Sequence, residues 1–72
     1  MFEYKHEYRI IITKLTDEDG GGWLVEVPEL PGCMSDGATV PEVLESVNGA
    51  IDAWIETARE AGWQIPVPEK AA

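Results

Sequence analysis

The sequence predicts an α+β fold: a small antiparallel sheet with one long amphipathic helix packed on a single face, in the order β-β-β-α-β. Three observations predict it. Two β-branched, apolar runs, residues 8–15 and 23–27, flank a turn of acids and glycines. The rigid segment Val27-Pro28-Glu29-Leu30-Pro31-Gly32-Cys33 follows the second run. Pro28 and Pro31 fix φ and donate no backbone N–H, so no central strand runs through it. Apolar residues then recur at three- and four-residue steps from Val40 to Ala58, the period of a helix with one buried stripe.

Residues 1–7 show no clear period and mixed charge, and read as a frayed start to the first strand. Residues 8–15, YRIIITKL, are β-branched and aromatic enough for that strand. Thr16-Asp17-Glu18-Asp19-Gly20-Gly21-Gly22 sustains neither helix nor strand and closes a hairpin. In the second strand, residues 23–27, Trp23, Val25 and Val27 share one face. Gly32 permits the reversal after the two prolines, and Cys33-Met34-Ser35 returns as a short third strand. Thr39-Val40-Pro41-Glu42 reads as a capping box, Thr39 covering the first helical donors and Glu42 reaching back.

The helix stripe is Val40, Val43, Leu44, Val47, Ile51, Trp54, Ile55 and Ala58, with Gly62 as terminator. Burying each larger side chain contributes about 1.5–3 kcal/mol. Gly49 interrupts this helix at a cost of about 1 kcal/mol relative to Ala, which implies a close backbone approach by the sheet. Asn48 lies near the stripe, where a hydrogen bond to nearby backbone is its simplest role. Residues 63–68, WQIPVP, alternate apolar with polar or proline positions and suit a final edge strand.

Seventy-two residues make one domain, 1–72, with 69–72 as a tail. With 44% hydrophobic residues and three Trp, the chain builds a core rather than staying disordered. Its single cysteine, Cys33, excludes an internal disulfide and fits a reducing cytoplasm. No apolar run suggests a secretion signal or membrane span, so a cytoplasmic protein is expected.

Charge is more telling. The net charge is −9, and no Lys or Arg lies between Leu15 and Ala58. That stretch carries Asp17, Glu18, Asp19, Glu26, Glu29, Asp36, Glu42, Glu45, Asp52 and Glu56. Such a surface repels phosphates and anionic lipid, which argues against nucleic acid or membrane as partners of this chain alone. Its complement is a basic protein, although acidic surfaces also serve solubility.

The glycine-rich turn, the apolar strand, Val27-Pro28-Glu29-Leu30-Pro31-Gly32-Cys33, the Gly37-Ala38-Thr39 helix start and the long amphipathic helix together resemble the HicB family. These are the antitoxin halves of HicA–HicB toxin–antitoxin pairs. The resemblance covers about Tyr8 to Pro68. It implies a partial RNase H-like domain and a small, basic, mRNA-cleaving HicA-like toxin as partner. Many HicB proteins continue into a DNA-binding segment. This sequence ends four residues after Pro68, which corresponds to the short form.

An RNase H-like fold raises the question of nuclease chemistry, which needs several acids converging on metal ions from strand centres. Asp17, Glu18 and Asp19 sit in a turn, and Glu26 is the only acid well inside a strand. Cys33 and His6 lie in separate elements without a group to orient the imidazole, so His6 reads as solvated and Cys33 as a small buried apolar residue. Gly20-Gly21-Gly22 lacks the Lys and helix start of a phosphate cradle. No catalytic residue, metal ligand or cofactor is expected.

The reading is therefore an antitoxin that covers its toxin's RNA-binding and catalytic face. The alternative is an oligomeric scaffold or small-ligand module without a toxin. Glu29, Leu30, Pro31, Met34 and Asp36 are the candidate contacts, presented by the stiff bend and the return strand. In strand one, Ile10 and Ile12 point one way, Ile11 and Leu15 the other. A single helix covers one face only, so these four residues are candidates for an oligomer face, and at least a dimer is expected.

Overall fold

The computed structural model describes residues 4–68. Three strands, β1 (Ile11–Lys14), β2 (Trp23–Glu26) and β3 (Met34–Gly37), form an antiparallel sheet in the order β1-β2-β3. The helix α1 (Val40–Ala61) follows and packs on one face of that sheet. The β-β-β-α order and the single-faced helix match the sequence reading. The expected fifth element does not form: residues 63–68 carry no strand. The expected tail at 69–72 lies outside the described residues.

Register fixes which side chains face the core. Ile12 pairs with Val25 and Val25 with Ser35, and this row faces inward, with Val25 fully buried. The next row, Ile11, Glu26 and Met34, faces outward, and so does Thr13, Leu24 and Asp36. Val25, Val27, Leu30, Cys33, Val43, Val47 and Ile51 build the core with Tyr8. Ile10 and Ile12 pack against it, as do Trp23, Trp54 and Ile55.

Local chemistry explains the boundaries. Thr16 accepts a hydrogen bond from the Asp19 N–H, so the acidic turn tightens into a 3-10 turn over Asp17–Asp19 and ends on Gly20 at φ 100°. At the helix start, Thr39 Oγ1 accepts from the Glu42 N–H at 3.3 Å. Glu42 reaches back one residue further than a simple box, accepting from the Ala38 N–H at 3.2 Å. Gly62 closes the helix at φ 76°, its N–H donating to the Ala58 carbonyl. β3 runs from Met34 to Gly37, past the expected Ser35, because Asp36 and Gly37 pair with Leu24 and Trp23. Glycine fits its end, where a Cβ would lie 3.0 Å from the Val43 nitrogen. The close approach expected at Gly49 is absent, since a Cβ there would meet nothing within 4 Å.

Residues 4–7 are not frayed. The Tyr4 hydroxyl donates to the Tyr8 carbonyl, and the Lys5 N–H donates to Asn48 Oδ1 at 2.8 Å. Asn48 thus holds backbone 43 residues away rather than nearby. His6 is also not simply solvated, because its Nε2 lies 2.9 Å from Asp52 Oδ1. The amino-terminal segment is laced to the helix by three side chains with no sequence period to announce them.

Candidate protein-interaction surface

The bend resolves into two tandem turns. Leu30 N–H donates to the Val27 carbonyl at 3.0 Å, and Cys33 N–H to the Leu30 carbonyl at 2.9 Å. Pro31 and Gly32, the latter at φ 81°, occupy the central positions of the second, the type II pattern. Val27 N–H reaches the Cys33 carbonyl at 3.0 Å and closes the base. Both prolines act as φ locks, so the loop is set before any partner arrives.

The five candidate contacts do not form one patch. Leu30 is fully buried and belongs to the core, so it is corrected from a contact to an anchor beneath the bend. Its side chain is the apolar plug that the two turns fold around. Glu29 and Pro31 instead line a groove with Trp54, Trp63, Gln64 and Pro66. Met34, 54% exposed, and Asp36 lie on the open face of the edge strand β3. The oligomer candidates divide as well. Ile10 and Ile12 pack on their own core, whereas Ile11 is 47% exposed on the open face. That face carries the rows Ile11–Glu26–Met34 and Thr13–Leu24–Asp36, so the Glu26 carboxylate stands on the central strand between Ile11 and Met34.

The groove was not legible as a site in the sequence. Trp54 reads as core stripe and Trp63 as strand alternation. What joins them is the left-handed Gly62, after which the chain folds back and the two rings stand 5.9 Å apart. Trp54 Nε1 donates to the Pro31 carbonyl at 2.9 Å, which ties bend to helix. The Tyr8 hydroxyl donates to the Pro66 carbonyl at 2.6 Å, which ties the last segment to the core.

Electrostatics on this side follow from burial. The Tyr4 phenol is pushed up to about 12, first by burial and then by the Glu29 charge. Tyr8 is raised for the same two reasons in the same order, and burial raises the Cys33 thiol. A raised thiol is protonated and a poor nucleophile. Among the described residues, no group of three or more His, Cys, Asp or Glu side chains gathers to hold a metal ion. None of their helices is long and apolar enough to cross a membrane.

A stiff proline bend, a capped amphipathic helix on a three-stranded sheet and an acidic exterior coincide with one family model. The HicB-like antitoxin of bacterial toxin–antitoxin systems matches residues 8–72. The chain belongs to this antitoxin family. It is similar to a UPF0150 protein of Thermoplasma acidophilum, 45% identical over 60 residues that make up 83% of each chain. A UPF0150 protein of Archaeoglobus fulgidus is 40% identical over 50 residues, 69% of this chain and 68% of its own. An uncharacterized 14.9 kDa protein of Haemophilus phage HP1 is 37% identical over 59 residues, which span 82% of this chain and 41% of the phage protein. No solved structure matches the chain.

Proposed function

We propose that this chain is a cytoplasmic, non-enzymatic antitoxin that binds a small, basic, HicA-like mRNA-cleaving toxin and covers its RNA-binding and catalytic face. Membership of the HicB-like antitoxin family carries the reading, because an antitoxin implies a toxin to oppose. Charge supports the mode of action. A surface of net charge −9 complements a basic RNA-binding face and steers the encounter. The same charge disfavours nucleic-acid binding by this chain itself.

Glu29 and Pro31 on the bend, with Met34 and Asp36 on β3, are the contacts we assign to the toxin. The β1 half of the open sheet face, around Ile11 and Leu15, we assign to a second copy of the chain. Exposed Ile11 on the β1 half of the open face is the observation that favours an oligomer. Co-expression tests the function: a small basic protein encoded beside this chain should arrest growth alone and be harmless with it. A neighbour that is harmless alone, or that stays toxic and unbound, would replace the antitoxin reading with that of a scaffold.

A further inference from the structure

The groove between the bend and the end of the helix combines two features seldom left together at a surface. It is a space of about 430 Å³ lined by Glu29, Pro31, Trp54, Trp63, Gln64 and Pro66. Trp63 is 54% exposed, yet its backbone is fixed by donation to the Ala58 carbonyl at 2.8 Å. Pro66 is held by Tyr8, and the Trp54 indole N–H is already satisfied by the Pro31 carbonyl. The polar atom of Trp54 is therefore already used, its ring packs partly on the core, and Trp63 is the ring left exposed for stacking. A concave, partly apolar groove whose walls are held by hydrogen bonds is a candidate binding site.

The chemistry of the lining names the occupant. Aromatic-lined grooves are the surfaces on which extended, proline-bearing segments dock. Among the described residues the only charged side chain in the lining is Glu29, whose Oε1 accepts the Arg9 N–H at 3.0 Å and is thereby fixed at the rim. Tryptophan faces attract cations through the ring quadrupole, and a guanidinium both stacks on them and pairs with a carboxylate. We propose that this groove recognises an extended, basic segment of a protein partner, seating an arginine against Trp54 and Trp63 beside the Glu29 carboxylate. The proposal rests on the reading that the chain acts by binding a basic protein, and it adds the arginine-bearing segment as the recognised element.

A toxin-free titration tests it, so that failure of the groove and failure of the antitoxin reading are separate results. The probe is acetyl-Pro-Arg-Pro-Arg-Pro-amide, followed by amide and indole N–H shifts of the labelled chain. A saturable shift centred on Trp54, Trp63 and Gln64 is expected, with none from the peptide carrying Glu for Arg. Trp63→Ala and Glu29→Gln should each weaken binding about twofold to fivefold, the scale of one exposed cation–π or charge contact. Gln keeps the acceptor for the Arg9 N–H, and Trp63→Phe keeps a ring and should retain part of the affinity. No saturable shift, an equal response to the Glu peptide, or wild-type affinity in both variants would overturn the proposal. So would groove shifts that grow with protein concentration alone, which would seat a second copy there.

Discussion

Gly49 and Gly37 occupy opposite situations and give opposite predictions. A Cβ at Gly49 meets open space on an exposed helix turn, so Gly49→Ala should stabilise by up to about 1 kcal/mol in urea unfolding. A Cβ at Gly37 would lie 3.0 Å from the Val43 nitrogen, so Gly37→Ala should destabilise by about 1–3 kcal/mol. Equal effects of the two substitutions would contradict the packing described. Nothing in the structure explains why Gly49 is not Ala. The buried hydroxyls and thiol predict an alkaline limit. Tyr4, Tyr8 and Cys33 are all raised, so the folded state holds these protons more tightly than the unfolded chain. Their contribution is complete below the unfolded values, about 8.5–10, and is lost as pH rises through the folded ones. Urea midpoints should hold to about pH 8 and fall steadily toward pH 11. A level or rising midpoint over that span would exclude the effect.

At the scale of elements, the bend and the helix depend on each other. Leu30 is fully buried beneath the bend, so Leu30→Ala should cost about 2–5 kcal/mol of stability. Its effect on any partner then arises through folding, whereas Pro31 and Glu29 at the groove can act on contact directly. A Leu30→Ala variant with wild-type melting behaviour would show that the bend is not anchored this way. The elements differ in how far they could be read in advance. The helix was legible because its apolar period persists over many turns and both caps have distinctive residues, Thr39 and Gly62. The bend was legible because proline and glycine act locally, whatever surrounds them. Residues 63–68 misled because alternation describes a strand only where a neighbouring strand is free to pair. Here Tyr8 and Trp54 hold the segment instead. The docking of residues 4–7 rests on Asn48 and Asp52, two isolated polar residues that no periodicity singles out. Leu30 was misplaced for a related reason. The pattern says that a bend is stiff, and only the fold says which of its side chains turns inward.

For the whole molecule, one helix on one side of a three-stranded antiparallel sheet leaves the other side open, to solvent or to a second copy as proposed. With Ile11 47% exposed, Ile11→Lys should dissociate an oligomer without unfolding the chain. Sedimentation equilibrium at micromolar concentration should show at least a dimer for the wild type and a folded monomer for the variant. A wild-type monomer would remove the second copy from the account. The acidic field acts at longer range than any of these contacts. Its influence on association should fade as salt rises, since the Debye length is about 10 Å at 0.1 M. The central claim is direct neutralisation of a ribonuclease, and the most direct measurement is RNA cleavage by the purified neighbouring protein titrated with this chain. Cleavage should fall to nothing at a fixed stoichiometry and recover when Glu29→Lys and Asp36→Lys are combined. Undiminished cleavage with this chain in excess would contradict it.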